Sequence, residues 1–550
     1  MTGPAQDLGA GPGGVGPGGA GPGGANPGGA GTPVRGDVLE VEVGAVAHGG
    51  HCVARHEGRV VFVRHALPGE RVRARLTEAG PDAGFWRADA VEVLDASPDR
   101  VEPACPVARP GGCGGCDWQH AAPAAQRRLK ADVLREQMQR LAGLDVDVPV
   151  EEVPLPAGAG TDPADAARGL GWRTRVAYAA DGAGRLGFRA HREHRVVPVD
   201  SCPIASPGVV DLGLPGLRWP GWRTVEAVVP GDGRGGALVV AVPRPEPGAG
   251  SPGAGAPGCA DRRPDRRGGR GGRGGTGAGG PRPARVAEPD WPPLPDGVSA
   301  ATSPPRGPRQ PPAPLHRVGG RSWVREEVAG RAFRVTGAGF WQVHPGAGGV
   351  LTDAVLRALA PQPGETSLDL FSGAGLLTAA LAQAVGPTGR VTAVEGDERA
   401  VADARRNLHD LAQVRLVHGP VQEVLEQEVP ERGAPERGAP ERGAPERELG
   451  SGMPGDERLG EGGAAAPVDL VVLDPPRTGA RAGVVRAVAA RRPRAVAYVA
   501  CDPAALARDV ATFAQEGYEL TSLRAFDLFP NTHHLECVAL LEPRHARSGS

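Results

Sequence analysis

The chain has 550 residues, with Lys+Arg of 62 against Asp+Glu of 64 and a formal net charge of −2. That balance excludes a polycation that grips nucleic acid by bulk charge, and the length allows three or four domains. Gly 86 and Pro 58 are high enough to suggest low-complexity sequence, but the excess is confined to a few stretches.

Residues 1–33 form a Gly/Pro/Ala run with almost no charge, residues 244–315 are Pro/Gly/Arg-rich, and residues 431–447 repeat "ERGAP". None has an apolar period, so all three read as disordered or linker sequence. "DRRPDRRGGRGGR" (261–273) is either a solvated linker or an auxiliary RNA-contacting tail. The N-terminus lacks a basic start followed by an apolar run, so no secretory signal is expected. No uncharged apolar stretch reaches about 18 residues, so no membrane span is expected. Eight cysteines without a leader point to the cytoplasm, where thiols stay free for metal or catalysis.

Residues 34–97 alternate apolar and polar, as in "DVLEVEVGAVAHGG" and "GRVVFVRHALPGERVRARL", with Gly and Pro between the runs. Short strands at this spacing predict a small closed barrel. Residues 123–141 place Leu129, Val133, Leu134, Met138 and Leu141 at helical spacing, an amphipathic helix. Residues 170–200 read as a β-meander in which Arg173, Arg175, Arg185, Arg189, Arg192 and Arg195 interleave with Trp172, Tyr178 and Phe188. Such a surface suits RNA, and a solvated face is the alternative for any single arginine. From residue 366 strands and helices alternate, which predicts a parallel, doubly wound sheet with ligands at its carboxyl edge. The strand ends carry Gly373, Glu395, Asp474 and Cys501.

"LDLFSGAGLL" holds Asp369, Gly373 and Gly375, but Thr378 stands where a dinucleotide fingerprint needs Gly or Ala. The D-x-x-x-G-x-G form resembles the S-adenosylmethionine loop of class I methyltransferases, and Glu395, ending the next strand, is placed to accept ribose hydroxyls. "VVLDPPRTGA" ends a buried strand at Asp474 and stiffens the backbone with two prolines, a floor for a flipped base. Uracil C5 is a weak nucleophile. A thiolate that adds to C6 activates it, and a carboxylate must later remove the C5 proton. Cys501 in "YVACDPAALARD" and Glu536 in "FPNTHHLECVALLE" are the candidates. An RNA cytosine-C5 methyltransferase would want a Pro-Cys pair, which "LDPPR" does not offer.

On these motifs the chain resembles the bacterial RNA uracil-C5 methyltransferases, above all the 23S rRNA branch. Gly49 to Val72, with "HALPGERV", resembles a TRAM domain. The resemblance spans roughly 34–240 and 316–543. It implies that Cys501 is the nucleophile and Glu536 the proton acceptor, and that Gln342 of "GFWQVH" contacts the cofactor. Phe371, Gly373, Glu395 and Asp474 would complete the cofactor and base positions. His344 departs from the usual Asn. Cys105, Cys113 and Cys116 (C-x7-C-x2-C) together with Cys202 suit either a [4Fe–4S] cluster or a structural zinc by spacing; the resemblance implies the cluster, in a structural or RNA-binding role. Cys52 and Cys537 are expected in cores.

The expectation is therefore a multi-domain α/β chain: an OB-like TRAM barrel (34–97), a mixed α+β central domain (98–345, with its insert at 244–315), and a Rossmann-like methyltransferase domain (346–543, with a low-complexity insert at 427–466). It would act as a cytoplasmic monomer on structured RNA, most of all 23S rRNA. The alternatives are a tRNA uridine-C5 methyltransferase and an RNA-binding protein with an inactive methyltransferase domain.

Overall fold

The computed structural model describes residues 33–245, 288–305, 314–427 and 467–544. The N-terminal tail through residue 32, the arginine run at 261–273, Cys259 and the "ERGAP" repeats lie outside them.

Five strands, β1 (Val38–Ala47), β2 (His51–His56), β3 (Arg59–Arg64), β4 (Arg71–Glu78) and β5 (Trp86–Asp95), close a barrel in the order β1-β2-β3-β5-β4. Period-2 alternation drives closure. β4 buries Val72, Ala74 and Leu76 and exposes Arg71, Arg73 and Arg75. Cys52 is barrel core, and its Sγ lies 3.3 Å from the Ala66 carbonyl.

Helix α1 (Pro123–Gln137) starts on a proline and runs into a π-helical turn, Met138–Ala142. Its apolar residues serve two cores. Leu129 and Val133 join the barrel core, whereas Leu134 and Met138 join the core of the C-terminal sheet. Residues about 100° apart on one helix thus weld the barrel to the α/β unit. β6 (Val150–Glu152) then pairs in parallel with Tyr518–Asp527 as the edge strand of that sheet. Residues read as central domain are therefore built into the C-terminal sheet.

After the short helix α2 (Pro163–Ala167) comes a seven-stranded sheet. Its strands are β7 (Arg175–Ala180), β8 (Leu186–Arg189), β9 (Val196–Pro198), β10 (Trp222–Val228), β11 (Leu238–Pro243), β12 (Ser299–Thr302) and β13 (His316–Gly319), in the order β13-β12-β11-β10-β7-β8-β9. Helix α3 (Pro207–Val210) lies between β9 and β10. β12 falls inside the span read as a disordered insert, yet it pairs in parallel with β11 and buries Ala301 fully. Trp291, from the same span, packs edge-on to Trp222 at 4.9 Å and to Trp219 at 5.8 Å. Proline and arginine density hid a short, largely buried strand.

A hairpin, β14 (Trp323–Val328) and β15 (Arg331–Thr336), precedes α4 (Ala347–Leu359). Next come β16 (Thr366–Leu370), α5 (Leu376–Val385), β17 (Arg390–Glu395), α6 (Glu398–Asn407), β18 (Val414–His418) and α7 (Val421–Gln427). The chain ends with β19 (Leu470–Leu473), α8 (Arg481–Ala489), β20 (Ala495–Ala500), α9 (Pro503–Gln515), β21 (Tyr518–Asp527) and β22 (Glu536–Pro543). The sheet order is β18-β17-β16-β19-β20-β22-β21-β6. β16 to β20 are parallel, but β22 runs antiparallel to both β20 and β21. The expectation of a parallel sheet therefore fails at one strand, β22, and that reversal builds the site. Among the described residues no helix is long and apolar enough to cross a membrane.

Candidate active site

The turn after β16 is shaped for a close-lying ligand. Phe371, a non-glycine residue, has φ of +65°, and Gly373 has +55°; strain of this kind persists where surrounding structure enforces it. A Cβ placed on Gly373 would meet nothing within 4 Å, so the loop faces open space. Glu395 ties this turn to its own: its carboxylate accepts from the Gly373 amide at 2.8 Å and from the Asp397 amide at 2.7 Å. Asp369 is fully buried and accepts from the Thr378 hydroxyl at 2.5 Å, leaving Oδ1 without a partner, as is the buried Ser372 hydroxyl. Burial, with the Glu395 charge adding to it, pushes Asp369 up to about 7. Gln342 is half-buried in the segment between β15 and α4, beside Val343, whose carbonyl accepts from Thr174.

Cys501 follows the last residue of β20, and Asp502 caps α9 by accepting from the Ala505 amide at 2.7 Å. Ala500 pairs with Cys537 across the antiparallel β20/β22 ladder. Continuing that register one step sets Cys501 opposite Glu536, where directly opposed side chains share a face. The electrostatics agree. Burial raises the Cys501 thiol to about 12, with Glu536 and then Asp474 adding to the effect and Arg477 opposing it. Glu536 is raised well above the usual carboxylate range by burial and then by Asp474, again opposed by Arg477. Asp474, just past β19, is likewise raised by burial, then by Asp369 and Glu395. Thiol, carboxylates and guanidinium share one site. Cys537, on the opposite face, is fully buried core.

A cavity of about 90 Å³ opens beside the thiol, lined by His48, Gly49, Gly50, Val133, Arg477, Cys501, Asp502, Pro503, His533 and His534. Arg477 lies 3.3 Å from His534 Nε2, and His533 Nδ1 lies 2.6 Å from an Asp117 carboxylate oxygen. Two larger hollows, of about 590 and 480 Å³, lie away from the thiol.

The family model for the TRAM domain matches residues 34–91, and that for tRNA (Uracil-5-)-methyltransferase matches residues 466–544. A model for protein-L-isoaspartate(D-aspartate) O-methyltransferase matches residues 350–430. An RNA methyltransferase of Streptomyces avermitilis is 44% identical over 517 residues, covering 92% of this chain and 99% of that protein. The chain belongs to the RNA (uracil-5-)-methyltransferase family. Another relative, the 23S rRNA (uracil(1939)-C(5))-methyltransferase RlmD of Shewanella, is 29% identical, covering 90% of this chain and 93% of its own. The crystal structure of Pyrococcus abyssi tRNA (uracil-54, C5)-methyltransferase shares the fold with a TM-score of 0.56 and 18% identity, covering 92% of this chain and 100% of its own.

In this RNA (uracil-5-)-methyltransferase the second cysteine set converges without closing. Cys113 lies within electrostatic reach of Cys105, Cys116 within reach of Cys202 and Cys113, and Cys202 within reach of Cys113 and Cys105. Cys116 and Cys202 pack beside Leu170, Trp172 and Ile204. Among the described residues no three His, Cys, Asp or Glu side chains are gathered tightly enough to hold a metal ion.

The expected basic–aromatic RNA surface is corrected in part. Trp172 and Tyr178 are each 2% exposed, and Arg175 is buried, holding the Gly337 and Gly339 carbonyls. These side chains belong to cores, and a two-residue alternation does not tell which face of a sheet is covered. Arg185, Arg192 and Arg195 are exposed but paired with Asp181, Glu78 and Glu193. His344 is buried, stacks on Trp172 at 6.0 Å, and accepts from the Gly346 amide at 3.1 Å, so it fixes a turn. Sequence reasoning missed Arg477, which its place three residues after Asp474 could have flagged. It also missed His48, for which a turn between barrel strands gives no signal.

Proposed function

We propose that this protein methylates C5 of a uridine in RNA through a covalent adduct between Cys501 and C6 of the base, with 23S rRNA as substrate. The meeting of Cys501 and Glu536 across β20 and β22 carries the reading. The Cys501 thiolate forms a bond to C6, and the C5=C6 electrons move onto C5 and O4. S-adenosylmethionine, when bound, supplies the methyl group to C5. Glu536 then takes the C5 proton, the C5=C6 bond re-forms, and the S–C6 bond breaks to return the thiolate. Arg477 lowers the cost of negative charge at the thiol and at Glu536.

Phe371, Gly373, Glu395, Asp474 and Gln342 would hold the cofactor. The open space at Gly373 and the unpartnered oxygen atoms of Asp369 and Ser372 fit a ligand with hydroxyl and amino donors. A [4Fe–4S] cluster on Cys105, Cys113, Cys116 and Cys202 belongs to the same reading as a structural group, supported by the mutual electrostatic reach of thiols from two segments; binding would have to draw them closer together. The RlmD relative supports 23S rRNA as substrate.

The test mixes the protein, cofactor and 5-fluorouridine-substituted RNA. Fluorine cannot leave as a proton does, so wild type accumulates an adduct that survives denaturation and Cys501→Ala forms none. No adduct with wild type points instead to an RNA-binding protein. Mapping 5-methyluridine in rRNA and tRNA, with and without the gene, separates the 23S rRNA substrate from a tRNA.

A further inference from the structure

The barrel reaches the thiol through one turn. His48, Gly49 and Gly50 join β1 to β2 and line the Cys501 cavity, although they lie some 450 residues away in sequence. His48 Nε2 sits 3.0 Å from Asp502 Oδ2, with side-chain exposures of 39% and 22%. The other Asp502 oxygen, Oδ1, caps α9 at the Ala505 amide, 2.7 Å away. One oxygen in a cap leaves a carboxylate free to rock, whereas a hold on both fixes it. Asp502 follows Cys501 directly, so fixing Asp502 fixes the backbone that aims the thiol.

Gly50 shows that the turn is built for this contact. Its φ is +81°, and a Cβ there would lie 2.8 Å from the Cβ of His533. The Trp118 indole donates to the Gly50 carbonyl at 3.0 Å and anchors the turn from the barrel side. The cavity of about 90 Å³ is well below the roughly 300 Å³ at which small-molecule pockets begin. A nucleoside therefore enters only if a wall yields, and a two-glycine turn held by the partly exposed His48–Asp502 hydrogen bond is a wall that can do so.

We propose that His48 is a positioning residue: through Asp502 it holds the backbone carrying Cys501, and with Gly49 and Gly50 it forms a wall that opens for the target uridine and closes behind it. This rests on the uridine-C5 reading above. It makes the barrel part of the pocket.

The experiment uses the full chain as wild type, His48→Ala and His48→Gln; the glutamine amide can reach the same Asp502 oxygen. Two rates are read: iodoacetamide labelling of Cys501 in the free protein, followed by peptide mass, and adduct formation at saturating 5-fluorouridine RNA with cofactor. His48→Ala is expected to label severalfold faster and to form adduct about tenfold slower, the worth of one hydrogen bond to a charged group. KM for RNA should move less than threefold, and His48→Gln should restore both rates. Unchanged labelling in His48→Ala overturns the proposal, as does a loss carried wholly by KM, which would make the turn a plain RNA contact. Should His48→Ala unfold, His48→Asn, too short to reach Asp502, takes its place. If wild type labels as expected but never forms adduct, the uridine reading falls while the labelling contrast still judges the wall.

Discussion

Replacing Glu536 with Gln separates chemistry from stability at this site. Glu536 is 2% exposed and opposes Cys501 across the ladder. Glutamine keeps its shape but cannot accept the C5 proton. Removing a general base costs roughly 10²–10⁴-fold, about 3–5 kcal/mol in the barrier. Addition to C6 does not need that base, so Glu536→Gln should stall after methyl transfer and accumulate a covalent protein–RNA band on a denaturing gel, even with natural uridine. Stability should move the other way. The native carboxyl is raised well above 4.5 by burial and then by Asp474. Between 4.5 and that raised value the folded chain keeps a proton the unfolded chain has released, so stability falls as pH rises through the window. Glutamine does not titrate. The variant should therefore melt at or above the wild-type temperature near pH 8, the gap closing below pH 4.5. Turnover within threefold of wild type, or a band that persists when Cys501 is also Ala, would refute the reasoning.

The same logic applies to Asp369, raised from 3.8 to about 7. Asp369→Asn should gain at most about 4 kcal/mol near pH 8 and nothing below pH 3.8 in chemical denaturation, while binding S-adenosylhomocysteine more weakly in calorimetry. Lys130 Nζ, fully buried, lies 2.6 Å from Asp527 and also holds the Phe529 carbonyl at the head of the loop leading to Glu536. Lys130→Met should cost about 3–5 kcal/mol by stranding Asp527, and adding Asp527→Leu should recover most of it in thermal melts. With its thiol pushed up to about 12, free Cys501 should alkylate about tenfold faster per pH unit from 7 to 10; a plateau near 8.5 would contradict that burial. Anaerobically isolated protein should carry about four iron per chain with a broad visible absorption that Cys116→Ser loses, and zinc without that band would select the other ligand.

Much of the site could be read along the chain because strand ends in an α/β unit are local features. "LDLF", "VVLD" and "YVAC" each announce a buried strand stopping at a functional residue, and β16, β19 and β20 end there. The barrel strands were legible for the same reason, since alternation is a property of adjacent residues. β12 was not, because two alanines between Ser299 and Thr302, with prolines on either side, make no period. Nor was the burial of Trp172 and Tyr178, which depends on what other segments lay across them.

What the sequence by itself determined is the list of reacting groups, for a thiol, a carboxylate and glycine turns keep their chemistry wherever they fall. Their meeting was decided by tertiary structure. Glu536 begins its strand, so in a parallel sheet it would stand at the edge away from Cys501; only the reversed direction of β22 brings it to the carboxyl edge. His48 joins them because α1 packs one face on the barrel and another on the sheet. Strand direction and the sharing of one helix between two cores are set by long-range burial, which no local pattern encodes.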